Sequence, residues 1–155
     1  MSYSFEGVKE KIDIALYTLF HKDSQLLKYQ VSERAVSHKL AEYLQILFPE
    51  WHVDCEYNLR EENLVKELRG IQGCDEQKKT ERIYPDIIVH HRGVRENLLV
   101  IEIKTGGQED PCDKRKLELF TEREGEYGYD WGLYIQFNGR YKPALTWYRD
   151  GNIYE

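Results

Sequence analysis

Asp86, Glu102 and Lys104 are the residues of this chain whose types and spacing could do chemistry. They lie in two strand-like runs, I-Y-P-D-I-I-V-H-H from Ile83 and N-L-L-V-I-E-I-K to Lys104, separated by Arg92-Gly93-Val94-Arg95-Glu96. Both runs are rich in Ile, Val and Leu, and the charged segment between them is compatible with a turn, so the stretch reads as a hairpin. A turn centred on Val94 sets Asp86 opposite Glu102, Ile88 opposite Val100 and His91 opposite Asn97. Period-two alternation then puts Lys104 on the face of the two acids. The other face pairs Pro85 with Ile103, Ile87 with Ile101 and Val89 with Leu99, and must be buried.

Two carboxylates facing each other on a sheet repel, and beside apolar neighbours an unpaired charge is costly. A hard divalent cation held by one or two carboxylates resolves that conflict, with the Ile103 carbonyl as a third ligand. Lys104 would then stand beside the ion, able to hold an attacking water or a phosphate oxygen. The other reading is a solvated strand face on which Lys104 neutralises the acids. The residues alone leave both open.

Pro85-Asp86, a spacing of fifteen residues, and Glu102-Ile103-Lys104 resemble the P-D…(D/E)-x-K signature of the restriction-endonuclease-like nuclease superfamily. The resemblance implies an α/β (α+β) fold with an αβββαβ core, a mixed sheet flanked by helices, with the acids and lysine on its second and third strands. It implies hydrolysis of phosphodiester bonds in DNA with Mg²⁺, for which Mn²⁺ could substitute. By resemblance Asp86, Glu102 and the Ile103 carbonyl bind the metal, and Lys104 orients or stabilises the attacking hydroxide. Glu33 matches the acid that the first core helix often supplies, and would bind water or a second metal. Folds of this kind host more than one function. A non-catalytic nucleic-acid-binding module, or an interaction subunit of a larger nuclease or defence assembly, is therefore the alternative.

The elements that must position these residues follow from periodicity. Phe5, Val8, Ile12, Leu16 and Leu19 recur at helical spacing over Phe5 to Phe20. His21 to Ser24 reads as a break and Gln25 to Tyr29 as a further helical turn. Ser32 caps a helix over Glu33 to Phe48, stopped by Pro49, with Val36, Leu40, Tyr43, Leu44 and Leu47 as its apolar stripe. Glu33 continues that stripe at the first turn. It either complements the helix dipole or points at the metal site. Trp51 to Leu59 reads as the first core strand, in which Glu56 forms a cross-strand ion pair or approaches the site.

Arg60 to Arg82 is highly charged, with a short helix expected over Asn63 to Arg69 and a loop after it. Lys78, Lys79 and Arg82 are a solvated basic group or a clamp on the substrate backbone. Thr105-Gly106-Gly107 leads away from Lys104. Asp110 and Pro111 then start a helix on which Asp113, Lys116, Leu117 and Phe120 share a face. Leu117 and Phe120 must pack on the sheet and draw Lys116 with them, as a phosphate contact or as a snorkelling lysine. Trp131 to Asn138 is the fourth core strand and Ala144 to Tyr148 a further one, with Asp150-Gly151 starting the tail.

A chain of 155 residues, 41% hydrophobic and 32% charged, fits one domain over residues 1–155. The core spans about 32–137, with an N-terminal helix and a C-terminal strand added. No 18-residue apolar run is present, so no membrane span is expected, and the first residues lack the apolar segment of a signal peptide. Three widely spaced cysteines suggest neither a zinc site nor a disulfide framework, and a reducing cytoplasm is the expected setting. The net charge of −6 argues against a broad nucleic-acid-coating surface, so contact with DNA would be local. So short a chain has few residues left to grip a duplex, which makes a homodimer an expectation.

Overall fold

Ser4, Ser32 and Asp110 start the three long helices, each by accepting a backbone N–H that the first turn would otherwise leave unpaired. The donors are Gly7 at 3.1 Å, Ala35 at 3.3 Å and Cys112 at 2.9 Å. The computed structural model describes residues 3–28, 32–57, 59–60, 82–139 and 141–155. Its helices are α1 (Phe5–Lys22), α2 (Ser24–Lys28), α3 (Glu33–Leu47) and α4 (Pro111–Thr121). The strands are β1 (His52–Cys55), β2 (Leu59–Arg60), β3 (Arg82–Ile83), β4 (Ile87–His91), β5 (Glu96–Thr105), β6 (Trp131–Asn138), β7 (Tyr141–Arg149) and β8 (Asn152–Ile153).

The fold is mixed α+β. A six-stranded sheet in the order β1-β4-β5-β6-β7-β8 has helices on both faces, and β2 and β3 form a separate two-stranded ribbon. Neighbouring strands are antiparallel except β5 and β6, which run parallel through the α4 crossover. None of the helices among the described residues is long and apolar enough to cross a membrane.

Alternation on β5 divides the interior into two cores. Leu99, Ile101 and Ile103 join Ile87 and Val89 under α1 and α3. Val100 and Ile88 face the other way, under Leu117 and Phe120 of α4. Glu102 lies two residues beyond Val100, so the same alternation carries it beneath α4, where it is 2% exposed. Gly132 on β6 lets α4 approach closely: a Cβ there would stand 2.9 Å from Thr121 Cγ2 and 3.2 Å from Tyr148 Cβ.

The expected register holds over Ile87–Ile101, Ile88–Val100 and Val89–Leu99. A bulge between Val89 and His90 then shifts it, so His91 pairs with Glu96 instead of Asn97. The bulge leaves Leu98 beside Leu99, and both side chains enter the α1/α3 core. The first core strand is shorter than expected, because Glu56 takes φ +49° and ends β1 at Cys55. The 83–91 run is likewise divided: Ile83 pairs with Leu59, and Asp86 occupies a bend ahead of β4. The tail adds a short strand, β8, against β7. The helix expected over Asn63 to Arg69 lies outside the described residues. Cys55 is a free thiol.

Candidate active site

Asp86 is fixed by a hydrogen bond across the end of the hairpin: its Oδ2 accepts the Ile103 N–H at 2.7 Å. The N–H and C=O of one strand residue leave the strand on the same side, so the Ile103 carbonyl also departs on the Asp86 side. Burial, helped by the Asp113 charge, pushes the Asp86 carboxyl up to about 6, against the Ile103 N–H and Lys116, which favour its ionised form.

Glu102 occupies the deepest position. Burial raises its carboxyl well above the ordinary range, with the Asp86 and Asp113 charges adding to the rise and Lys116 opposing it. The Asp86 and Glu102 carboxyls act on each other, and Asp86 adds to the rise at Glu102. Glu102 Oε1 is buried without a hydrogen-bond partner, although Lys116 Nζ lies 3.3 Å away as an ion pair.

Two more members of the cluster come from α4. Lys116 Nζ is 3.0 Å from Asp113 Oδ1 as well as 3.3 Å from Glu102 Oε1, so one ammonium bridges the helix and the sheet. Desolvation works against the Lys116 charge, but Glu102, Asp113 and Asp86 outweigh it and hold its pKa above the usual value. Asp113 is raised by burial, with the charges of Asp110 and Glu33 adding to the effect. Two carboxyl groups thus share one bridging ammonium, with Asp86 beside them, and burial is the main cause that raises all three acids.

Lys104 follows Glu102 on the same face, half-buried, and makes no ion pair among the described residues. Beyond it Gly106 and Gly107, at φ +72° and +70°, turn the chain away in a conformation that glycine adopts without strain. A buried polar chain ties this exit to β6 and α4. Tyr134 Oη accepts the Asp110 N–H at 3.0 Å and donates to Gln136 Oε1 at 3.0 Å. Gln136 Nε2 donates to the Gly106 carbonyl at 3.2 Å. Gln136 is the β6 neighbour of Lys104 and Tyr134 that of Glu102.

Glu33 belongs to the other helical layer and reaches the end of β5 from there. Its Oε2 accepts the Thr105 N–H at 2.8 Å, which gives it a role beyond the helix dipole, one residue from Lys104. Lys116 is not the phosphate contact that its place on α4 suggested: it is 3% exposed and turned onto acids, because α4 crosses the sheet directly above Glu102. Lys78 and Lys79 lie outside the described residues, and Arg82 is placed only through its backbone in β3. Glu56 pairs with Arg34 of α3 at 3.1 Å instead of across the sheet. Asp113 was missed as a site residue. Its sequence signal was the three-residue spacing from Lys116 on a face that must be buried.

The donor set suits a hard divalent cation. The Asp86 and Glu102 carboxyls and the Ile103 carbonyl are all oxygens, and Glu102 Oε1 lacks a hydrogen bond, while Asp113 is engaged by Lys116. Among the described residues, no three His, Cys, Asp or Glu side chains stand as a ready-made cage. In this arrangement the Lys116 ammonium is the cation that Glu102 and Asp113 share. No known family profile matches the chain, and no curated protein matches it in sequence.

Proposed function

We propose that this chain is a divalent-metal-dependent phosphodiesterase acting on DNA, built on a restriction-endonuclease-like core of α3, β1, β4, β5, α4 and β6. The observation that carries the reading is the buried Glu102 carboxyl. It lies beside Asp86, its Oε1 has no hydrogen bond, and Lys104 is two residues further along the same face without an ion-pair partner among the described residues. A structural ion pair explains Glu102 and Lys116. It explains neither the missing hydrogen bond at Oε1 nor the second lysine, which has no ion-pair partner among the described residues.

In this reading Asp86, Glu102 and the Ile103 carbonyl hold Mg²⁺ or Mn²⁺. The ion, when bound, would polarise the phosphate and acidify the attacking water. Lys104 orients that water or neutralises a phosphate oxygen. Glu33 holds the Thr105 end of β5, and the Tyr134–Gln136 chain holds Gly106, so Glu102 and Lys104 keep a fixed relation to α4. A net charge of −6 confines DNA contact to local groups, and a homodimer would supply the second half of a duplex grip.

The test is cleavage of single-stranded, duplex, nicked and branched DNA, and of RNA, with Mg²⁺ or Mn²⁺ and with EDTA. Metal-dependent cleavage that Glu102→Gln abolishes supports hydrolysis, and no cleavage of any substrate refutes it. One observation favours the second reading, a non-catalytic nucleic-acid-binding module. Lys116 already compensates Glu102 and Asp113, so the fold stands without an added ion. Binding of DNA that is indifferent to metal would support that reading.

A further inference from the structure

Lys116 is the member of the cluster that a metal centre does not need. Lysine is almost never fully buried unless paired, and here it is 3% exposed. It extends from α4 to reach an acid of its own helix, Asp113 at 3.0 Å, and one of the sheet, Glu102 at 3.3 Å. The contact with Glu102 is one of charge: Oε1 gains a nearby cation and still accepts no hydrogen bond. An ammonium therefore offsets the negative charge while leaving the oxygen's coordinating capacity unused.

We propose that Lys116 is a resident counter-cation that competes with a divalent ion for Glu102, making α4 the coupled second half of the metal centre. This rests on the metal-centre reading above. Without metal, Lys116 keeps Glu102 and Asp113 together and holds α4 on the sheet. A dication at Asp86 and Glu102 places a second positive charge against the ammonium, so each cation weakens the binding of the other. Lys116 withdraws along its flexible stem toward Asp113, which remains its partner on α4. A lysine that only braced the fold would leave metal affinity unchanged.

The experiment compares wild type, Lys116→Met and the Lys116→Met/Glu102→Gln double variant, stripped with EDTA and titrated with Mn²⁺ alone and Mg²⁺ alone, by calorimetry and thermal melts. Lys116→Met is expected to melt lower than wild type in EDTA, to gain more from Mn²⁺, and to bind it about tenfold more tightly or better. The double variant, lacking both competitor and contested ligand, is expected to lose that gain. Mn²⁺ binding by Lys116→Met that is no tighter than wild type overturns the proposal, as does a double variant that binds as tightly as Lys116→Met. Should Lys116→Met fail to fold in EDTA, recovery in excess Mn²⁺ supports the proposal and failure to recover overturns it. A wild type that binds Mn²⁺ and cleaves nothing would end the hydrolase reading and leave this one standing. Unchanged affinity in Lys116→Met beside intact cleavage would do the reverse. If neither protein binds the ion, both fall.

Discussion

The Asp86 carboxylate and the Ile103 backbone N–H form a 2.7 Å hydrogen bond that closes the open end of the hairpin, where β4 has not yet begun and β5 still runs on. Asp86 therefore serves the fold as an acceptor while its charge is a burden: burial pushes its carboxyl up to about 6.

Asp86→Asn separates the two roles. The folded pKa of about 6 exceeds an unfolded value near 3.9, so the native state binds the extra proton. The stability contributed by this group is full below about pH 4 and is lost as pH rises through about 6. Asn keeps an acceptor oxygen and cannot ionise. In EDTA, Asp86→Asn is expected to melt above wild type at pH 8 and level with it near pH 4. Asp86→Ala removes the acceptor as well as the charge and is expected to melt below Asp86→Asn at both, by about 1–3 kcal/mol of stability. A lower melting temperature for the Asn variant at pH 8 would mean that the charge itself holds the bend.

Glu33 is the acceptor for the Thr105 N–H at 2.8 Å, and the same separation applies. Glu33→Ala is expected to destabilise the protein by about 1–3 kcal/mol, because a partly buried donor loses its partner. Glu33→Gln retains an acceptor and is expected to melt within a few degrees of wild type. A Glu33→Gln variant that melts normally yet cleaves more slowly would give Glu33 a part in the chemistry, whereas normal melting with normal cleavage would confine it to holding β5.

Asp54 titrates in the opposite sense. The Arg92 guanidinium beside it lowers its carboxyl pKa most, with help from His90 at 2.7 Å, and together they overcome the desolvation that would raise it. A depressed folded pKa contributes stability above the unfolded pKa and loses it as pH falls through the folded one. Arg92→Gln is expected to flatten the acid limb of a melting-temperature profile below about pH 4 while leaving the fall between about pH 4 and 6 from Asp86 intact. An unchanged acid limb would show that the Asp54–Arg92 pair is too solvent-screened to matter.

How far the sequence was legible follows from the range of each interaction. The Ile87, Val89, Ile101 and Ile103 face was readable because strand alternation is local, and it carried Glu102 to the correct side of the sheet. The bulge at Val89/His90 was not readable, since it depends on how Leu98 and Leu99 both enter the α1/α3 core. The break at Glu56 was hidden because a non-glycine residue at positive φ leaves no local signature. On α4 the burial of Lys116 followed from Leu117 and Phe120. Its partners did not, because they depend on which β5 residue lies beneath the helix. Glu33 was readable as an acid in line with a buried stripe, but its Thr105 partner is 72 residues away in sequence.

Lys104 is the group on which the proposed chemistry turns. It follows Glu102 by two residues on the same face and has no ion-pair partner among the described residues, so its removal breaks no salt bridge there. Lys104→Ala is expected to melt within a few degrees of wild type and to bind Mn²⁺ as wild type does, because the acids hold the ion. Cleavage is expected to fall by about 10²–10³-fold, the usual effect of removing one charge-stabilising group from a desolvated site. Lys104→Arg restores the charge with a different shape, and partial recovery would point to charge stabilisation over orientation of the water. Asp86→Ala should instead lose metal binding and cleavage together. Binding is read by calorimetry with Mn²⁺ and cleavage by the nucleic-acid panel, on the same protein batches. Equal cleavage by wild type and Lys104→Ala would mean that the activity is a contaminant or that the site lies elsewhere in the chain.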